Sequence, residues 1–180
     1  ASGVQDVVFS SSCSVNGTPA VVPVTESAPI HPESVYAESK AMVERILYWY
    51  GQTSGLQSVA LRYFNAAGAS LDGRIGEDWT HSQNLIPLAM KAVLLKDRRL
   101  KVFGDDYDTP DGTCIRDYIH VVDLADAHVK ALEYLGRGGE TVAVNVGTGI
   151  GSSVFDVLAV TAEISGQPVP HDITERRAGD

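Results

Sequence analysis

Two short apolar runs, Val7-Val8-Phe9 and Val59-Ala60-Leu61-Arg62-Tyr63-Phe64, decide most of what this chain can fold into. Each is short and lacks polar alternation, which is the pattern of strands buried on both faces. The first run is closed by Ser10-Ser11-Ser12, and a loop of prolines and small polar residues follows from Asn16 to Ser34. From Tyr36 onward, Val43, Ile46, Leu47 and Tyr50 recur at helical spacing, with Gly51 as a stop. A buried strand, a crossover helix and a second buried strand make an α/β unit.

The rest of the chain continues in the same style. Leu85 to Lys96 reads as a helix opened at Asn84, and Leu100 to Phe103 as a short strand. Asp117 to Val122 reads as a strand, after which Asp123 caps an amphipathic helix through Leu135. Thr141 to Val146 is a further strand, and Ser153 with Asp156 opens a helix to Ser165 in the manner of a capping box. Internal repeats and clear linkers are absent. A doubly wound nucleotide-binding sheet opens with a strand, a glycine-rich turn and a helix. Here the sheet reads as if it begins in its middle.

Bulk properties narrow the partners. A formal charge of −9 with scattered lysines and arginines leaves no basic stripe for nucleic acid. An apolar fraction of 44% supports a packed core. Cys13 and Cys114 are too few for a disulfide framework or a zinc site and are expected to be reduced. No apolar stretch is long enough to span a membrane, and the first residues carry no signal-peptide pattern, so the expected compartment is the cytoplasm.

Tyr36 and Lys40 form a Tyr-x-x-x-Lys pair, which a helix places on one face. A free phenol titrates near ~10, and a neighbouring cation favours the phenolate, so such a pair can act as a base near neutral pH. The spacing alone is weak, because a packed tyrosine and a solvated lysine would produce it too. Its context strengthens it. Ser12 ends a buried strand, and in parallel sheets ligands bind beyond the carboxyl ends of strands. A serine there can hydrogen-bond the same oxygen that the tyrosine deprotonates.

Ser-Ser-Ser-Cys-Ser-Val-Asn-Gly (10–17), Tyr-Ala-Glu-Ser-Lys (36–40) and Leu-Arg-Tyr-Phe-Asn-Ala-Ala-Gly-Ala (61–69) resemble extended short-chain dehydrogenase/reductases. The segments at 84–87, 102–107 and 111–121, and Arg176-Arg177-Ala178-Gly179-Asp180, are similar to UDP-glucose 4-epimerases in particular. The resemblance covers nearly the whole chain. It implies an α/β fold: part of a doubly wound, Rossmann-like parallel sheet, plus most of a small mixed α/β substrate domain. Residues 1–65 would belong to the NAD-binding domain. Residues 66–180 would be mainly the nucleotide-sugar-binding region, with a strand and a helix returning to the first domain.

The resemblance also implies a reaction: NAD-dependent inversion at C4 of a UDP-hexose, the interconversion of UDP-glucose and UDP-galactose in galactose metabolism, through a transient 4-keto sugar. Tyr36 would be the base. Lys40 would favour its phenolate and hold the nicotinamide ribose, and Ser12 would bond the sugar 4-hydroxyl. Phe64 would lie near the nicotinamide, although a plain core aromatic accounts for it almost as well. Asn65, Asn84 and Leu85 would hold the nucleotide sugar, and Lys101, Val102 and Phe103 would receive the uracil through backbone and stacking contacts. Arg116 and Arg177 would neutralise the diphosphate, as guanidinium forks do well. For Arg116, a surface ion pair with Asp117 is the competing reading. Asp180 would reach the uridine ribose.

Some places depart from the family pattern or tempt another reading. Asn16 stands where the family usually has tyrosine. Cys13 and Ser14 stand where nucleotide-sugar 4,6-dehydratases carry two carboxylates, which disfavours elimination of water. Gly147-Thr148-Gly149-Ile150-Gly151 lacks the third glycine of a dinucleotide fingerprint, since Ser152 stands there, and reads better as a tight turn into the next helix. His120 and His128 lack the further ligands that a metal site requires. Residues 1–180 alone, without a phosphate-binding glycine turn, are expected to bind NAD weakly or to be a non-catalytic fragment. In full-length form a homodimer around helix 37–51 is expected, because Trp49 adds to the apolar surface of Val43, Ile46, Leu47 and Tyr50.

Overall fold

The computed structural model describes residues 3–95 and 98–177. In chain order the elements are β1 (Asp6–Ser10), a 3-10 turn (Cys13–Asn16), α1 (Val35–Ser54), β2 (Gln57–Tyr63), β3 (Asn65–Ala67), α2 (Leu85–Leu94) and β4 (Leu100–Phe103). They continue with β5 (Ile115–His120), α3 (Val121–Gly136), β6 (Val142–Val146), β7 (Gly151–Ser153), α4 (Val154–Ser165) and β8 (His171–Thr174). The chain divides into two compact units. One comprises residues 1–66 and 119–149, the other residues 67–118 and 150–180.

The first unit is a parallel sheet in the order β1-β2-β6. Val8 pairs with Val59, and Leu61 with Val144. β2 lies in the middle, and every residue from Ser58 to Arg62 is buried, which is why its sequence shows no alternation. Val59 and Leu61 pack against Ala131 and Leu135 of α3.

The second unit is mixed. β4 and β8 run parallel, with Val102 opposite Ile173, whereas β5 and β7 are antiparallel, with Ile115 opposite Ser153. Its core joins Ala89 and Ala92 of α2, Leu100 and Val102 of β4, Leu158 of α4, and Val169. Ser153 and Asp156 complete a reciprocal capping box at the start of α4. Ser153 also donates to Asp111 Oδ2 at 2.5 Å, tying the helix start to the loop between β4 and β5.

β5 lies two residues earlier than the sequence suggests, and three helix boundaries also differ. α1 continues past Gly51 and ends at Gly55, whose φ of 73° only glycine adopts without strain and whose N–H reaches the Gly51 carbonyl. α3 begins at Val121, because His120 Nδ1 caps the Val122 N–H at 3.2 Å, while Asp123 sits within the first turn. The β-branched pair Val121-Val122 had read as the end of the strand. α2 closes at Leu94, with the Leu95 N–H bonded to the Lys91 carbonyl.

The stability of the first unit rests on the β2–α3 layer. Leu61→Ala should destabilise the protein by about 2–5 kcal/mol, as cavity-forming core truncations do. Leu71→Ala, at a side chain 89% exposed, should cost less than about 0.5 kcal/mol. Urea denaturation of the two variants checks the contrast.

Candidate active site

β1 stops pairing at Ser10, and the three serines at its carboxyl end face different partners. The Ser10 carbonyl accepts from Lys40 Nζ at 2.9 Å, while its hydroxyl bonds His128 Nε2 at 2.9 Å. Ser11 is fully buried and donates to Glu44 Oε1 at 2.5 Å. Ser12 caps the 3-10 turn, its Oγ accepting from Ser14 N at 3.2 Å and from Ser14 Oγ at 2.9 Å. Both acceptor positions of Ser12 are engaged, so the group it has left to offer is its hydroxyl hydrogen.

Opposite this strand end stands the first turn of α1. Ser34 caps it by accepting from the Ala37 N–H at 3.1 Å. Tyr36 is 54% exposed. Lys40, one turn on, places its ammonium 5.5 Å from the centre of the Tyr36 ring and 5.2 Å from that of Phe9. The sheet thus brings Ser12, Tyr36 and Lys40 onto one unit, with the lysine fixed by a strand carbonyl. Phe64 is half-buried, its N–H bonded to the Val146 carbonyl at 3.3 Å, and Asn65 is exposed at the start of β3.

The other sequence candidates lie in the second unit. Asn84 is exposed at the N-cap of α2 but makes no side-chain cap bond. Its Nδ2 instead donates to Glu77 Oε1 at 2.7 Å, and Ser82 Oγ also donates to that oxygen. Leu85 is half-buried in the first turn of α2. On β4, Lys101 is exposed and Phe103 half-buried, whereas the Val102 side chain is 1% exposed and belongs to the core. Only the backbone of Val102 can therefore meet a ligand. Arg177 lies with its guanidinium 5.1 Å from the Phe103 ring centre, and Arg116 is half-buried on β5. Asp180 lies outside the described residues.

Arg176 does different work from Arg177. Its Nε bonds Asp106 Oδ1 at 2.6 Å, Nη2 bonds the Asp106 carbonyl, and the guanidinium stacks 4.1 Å from the Tyr107 ring centre. The hydrogen bond from Arg176 lowers the Asp106 pKa, and the same bond raises that of Arg176. Gly112 permits the tight loop beside them. Its φ is 78°, and a Cβ there would meet the Asp105 carbonyl oxygen at 1.9 Å.

Sequence reasoning missed Ser10, Ser11, Glu44, Arg62, Glu77 and Arg176. One signal was present: Arg62 interrupts an otherwise apolar, fully buried run, and a buried guanidinium requires a carboxylate. The Asn16 departure is also accounted for. Asn16 is 4% exposed, and its Nδ2 bonds the Ala28 and Pro29 carbonyls at 3.1 and 3.0 Å, so it pins the loop beyond the serines. His128 Nδ1 bonds the Leu124 carbonyl at 2.8 Å, and His120 is the α3 cap. Among the described residues no cluster of three or more His, Cys, Asp or Glu could hold a metal ion. Cys13 and Cys114 are not joined in a disulfide.

A parallel sheet with polar side chains gathered at a strand's carboxyl end is the ligand-binding arrangement of doubly wound α/β proteins. The sequence model of the NAD dependent epimerase/dehydratase family matches residues 1–147, and the chain belongs to that family. It is 50% identical over 180 residues to UDP-glucose 4-epimerase of Rhizobium leguminosarum bv. trifolii, covering all of this chain and 55% of that protein. A crystal structure of UDP-glucose 4-epimerase from Brucella ovis in complex with NAD superposes with a TM-score of 0.92 at 48% identity, over 98% of this chain and 54% of the other. The Bifidobacterium longum enzyme, in complex with NAD+ and UDP, gives 0.89 at 40% identity, over 98% and 53%. The chain spans about half the length of the curated relatives it matches.

Because its folded-state pKa is depressed, Asp106 contributes stability at pH values above its unfolded pKa, and that contribution is lost as pH falls through the folded value. Carbon-detected NMR titration should find Asp106 titrating below the usual carboxylate range. In Arg176→Met it should return toward that range.

Proposed function

We propose that the full-length protein carrying this chain inverts C4 of a UDP-hexose with NAD as its cofactor, interconverting UDP-glucose and UDP-galactose. The observation that carries the reading is the Lys40 ammonium, held on the Ser10 carbonyl beside the Tyr36 ring, with the Ser12 hydroxyl on the neighbouring strand end. The names of relatives at 40–50% identity support the substrate, and two of the similar structures are described with NAD.

The donor set fits the nicotinamide-ribose end of the cofactor. Lys40 spends one N–H on Ser10 and has two more for a ribose diol, with Tyr36, Ser12 and Phe64 as its companions. NAD, when bound, supplies a two-electron oxidant and returns the same electrons. The proton chemistry falls to the chain. Tyr36 takes the 4-hydroxyl proton and gives it back after the 4-keto sugar has turned, Ser12 donates to the 4-oxygen, and Lys40 sets a positive charge beside the Tyr36 ring. In the second unit, Asn84, Leu85 and the β4 backbone, with Arg116 and Arg177 for the diphosphate, would hold the nucleotide. Asn65 and Asp180 complete the proposed set. A dehydratase reading lacks its acid and base, since Cys13 and Ser14 occupy the 3-10 turn where carboxylates would be required.

We also propose that the protein works in the cytoplasm, a reading that two cysteines without a disulfide support. No helix among the described residues is long and apolar enough to cross a membrane. A homodimer through α1 belongs to the same proposal. The helix buries only Ala37 and Ala41, while Met42, Ile46, Trp49 and Tyr50 are each more than half exposed. Light scattering of the full-length protein should report twice the protomer mass, and a monomer at high concentration would contradict it.

In the full-length protein Tyr36→Phe should lower kcat by ~10²–10⁴, the usual loss on removing a general base, with UDP affinity nearly unchanged. Ser12→Ala should cost less, because water can replace a relay hydroxyl. Lys40→Met should weaken NAD binding in calorimetry, since it removes the N–H groups proposed for the ribose diol. A folded Tyr36→Phe protein that epimerises UDP-galactose within a few-fold of wild type defeats the reading.

A further inference from the structure

We infer that Glu44 and Arg62 are positioning residues for the proposed base. They hold the helix that bears Tyr36 and Lys40 in register with the strand end that bears Ser12. The inference rests on the reading of Tyr36 as the base.

Packing alone leaves α1 poorly indexed. Its buried residues are two alanines, Ala37 and Ala41, whose methyl groups resist sliding or rotation very little. Direction comes from polar ties. Lys40 and Glu44, four residues apart on one helix face, reach consecutive residues of the β1 end: Lys40 bonds the Ser10 carbonyl and Glu44 accepts from the Ser11 hydroxyl. Two attachments one helical turn apart fix both the rotation of α1 and its height along the strand.

Arg62 on β2 secures the lower attachment. Its Nε bonds Glu44 Oε1 at 3.0 Å and its Nη2 bonds Oε2 at 2.7 Å, so the carboxylate is held by a fork that accepts one geometry. The two side chains are only 7% and 13% exposed. The third nitrogen, Nη1, reaches the Glu26 carbonyl at 3.5 Å. These four hydrogen bonds of Glu44 and Arg62, including that from Ser11, are spent inside the first unit, and their geometry is directed inward and not toward a ligand.

Stability does not by itself explain the pair. Replacing a buried ion pair with apolar side chains of similar volume is often neutral or stabilising, whereas breaking one partner is costly. What apolar substitutes cannot reproduce is the fixed direction, and a misplacement of about 1 Å at a catalytic group can cost on the order of 10²-fold in rate. Positioning and stability are therefore separable by experiment.

The test uses the full-length protein with NAD and UDP-galactose. The double variant Glu44→Met/Arg62→Met should melt within a few degrees of wild type and bind UDP with unchanged affinity. Its kcat should fall by roughly 10–100-fold with little change in KM. Ser11→Ala, which leaves the ion pair intact, should lower kcat several-fold with KM unchanged, and it decides the matter if the double variant does not fold. Wild-type kcat in a folded double variant, or unchanged kcat in Ser11→Ala, overturns the inference. Tyr36→Phe is measured in parallel. If it is inactive while the other variants are fully active, the positioning role alone falls. If it is fully active, the base assignment falls and the positioning role with it.

Discussion

An arginine buried in the middle strand of a parallel sheet sets the terms for the first unit. Arg62 is 6% exposed in a strand otherwise lined by Val59, Ala60 and Leu61, and its guanidinium cannot shed its charge. A carboxylate must be delivered to it, and α1 delivers Glu44. With Glu44 committed inward, the residues four and eight positions earlier, Lys40 and Tyr36, come onto the same stripe of the helix. The face carrying the proposed chemistry thus follows from the burial of one cation.

The same cation helps to organise a segment that has no regular structure. Between the 3-10 turn and α1 the backbone carbonyls need partners, because sheet and helix supply none. Arg62 takes the Glu26 carbonyl, Asn145 Nδ2 takes that of Val24 at 3.0 Å, and Asn16 takes those of Ala28 and Pro29. The Glu26 side chain returns the contact by accepting the Asn145 N–H at 3.0 Å, the first cause of its lowered pKa. Side chains from the sheet therefore shape a loop whose own sequence carries little periodicity.

What was legible in the sequence follows from what each signal measures. Apolar runs report burial, so β1, β2, β4 and β6 could be read within a residue or two, and the Ser153–Asp156 box could be read because capping is a local interaction. β3, β7 and β8 escaped notice. They are three or four residues long, too short for a period to show, and β8 owes its extension to pairing with β4, distant in the sequence. Likewise Tyr36, Lys40 and Ser12 were visible through spacing and through resemblance. Their supports were not, because Ser11, Glu44 and Arg62 belong to three separated elements whose meeting only the fold creates. Arg176 and Arg177 show the limit most plainly. Adjacent and identical in chemistry, they diverge because one meets Asp106 and Tyr107 while the other lies over Phe103.

Ser10 is tied to both α3 and α1. The Leu124 carbonyl can only accept, so Nδ1 of His128 carries a hydrogen, and in the neutral ring Nε2 accepts from the Ser10 hydroxyl. The carbonyl of the same residue holds Lys40 of α1. One amino acid therefore anchors two helices to the end of β1 through two hydrogen bonds, one from its side chain and one from its backbone. Removing the hydroxyl at this position would break the tie to His128 alone, because the tie to Lys40 uses the backbone carbonyl that every residue carries.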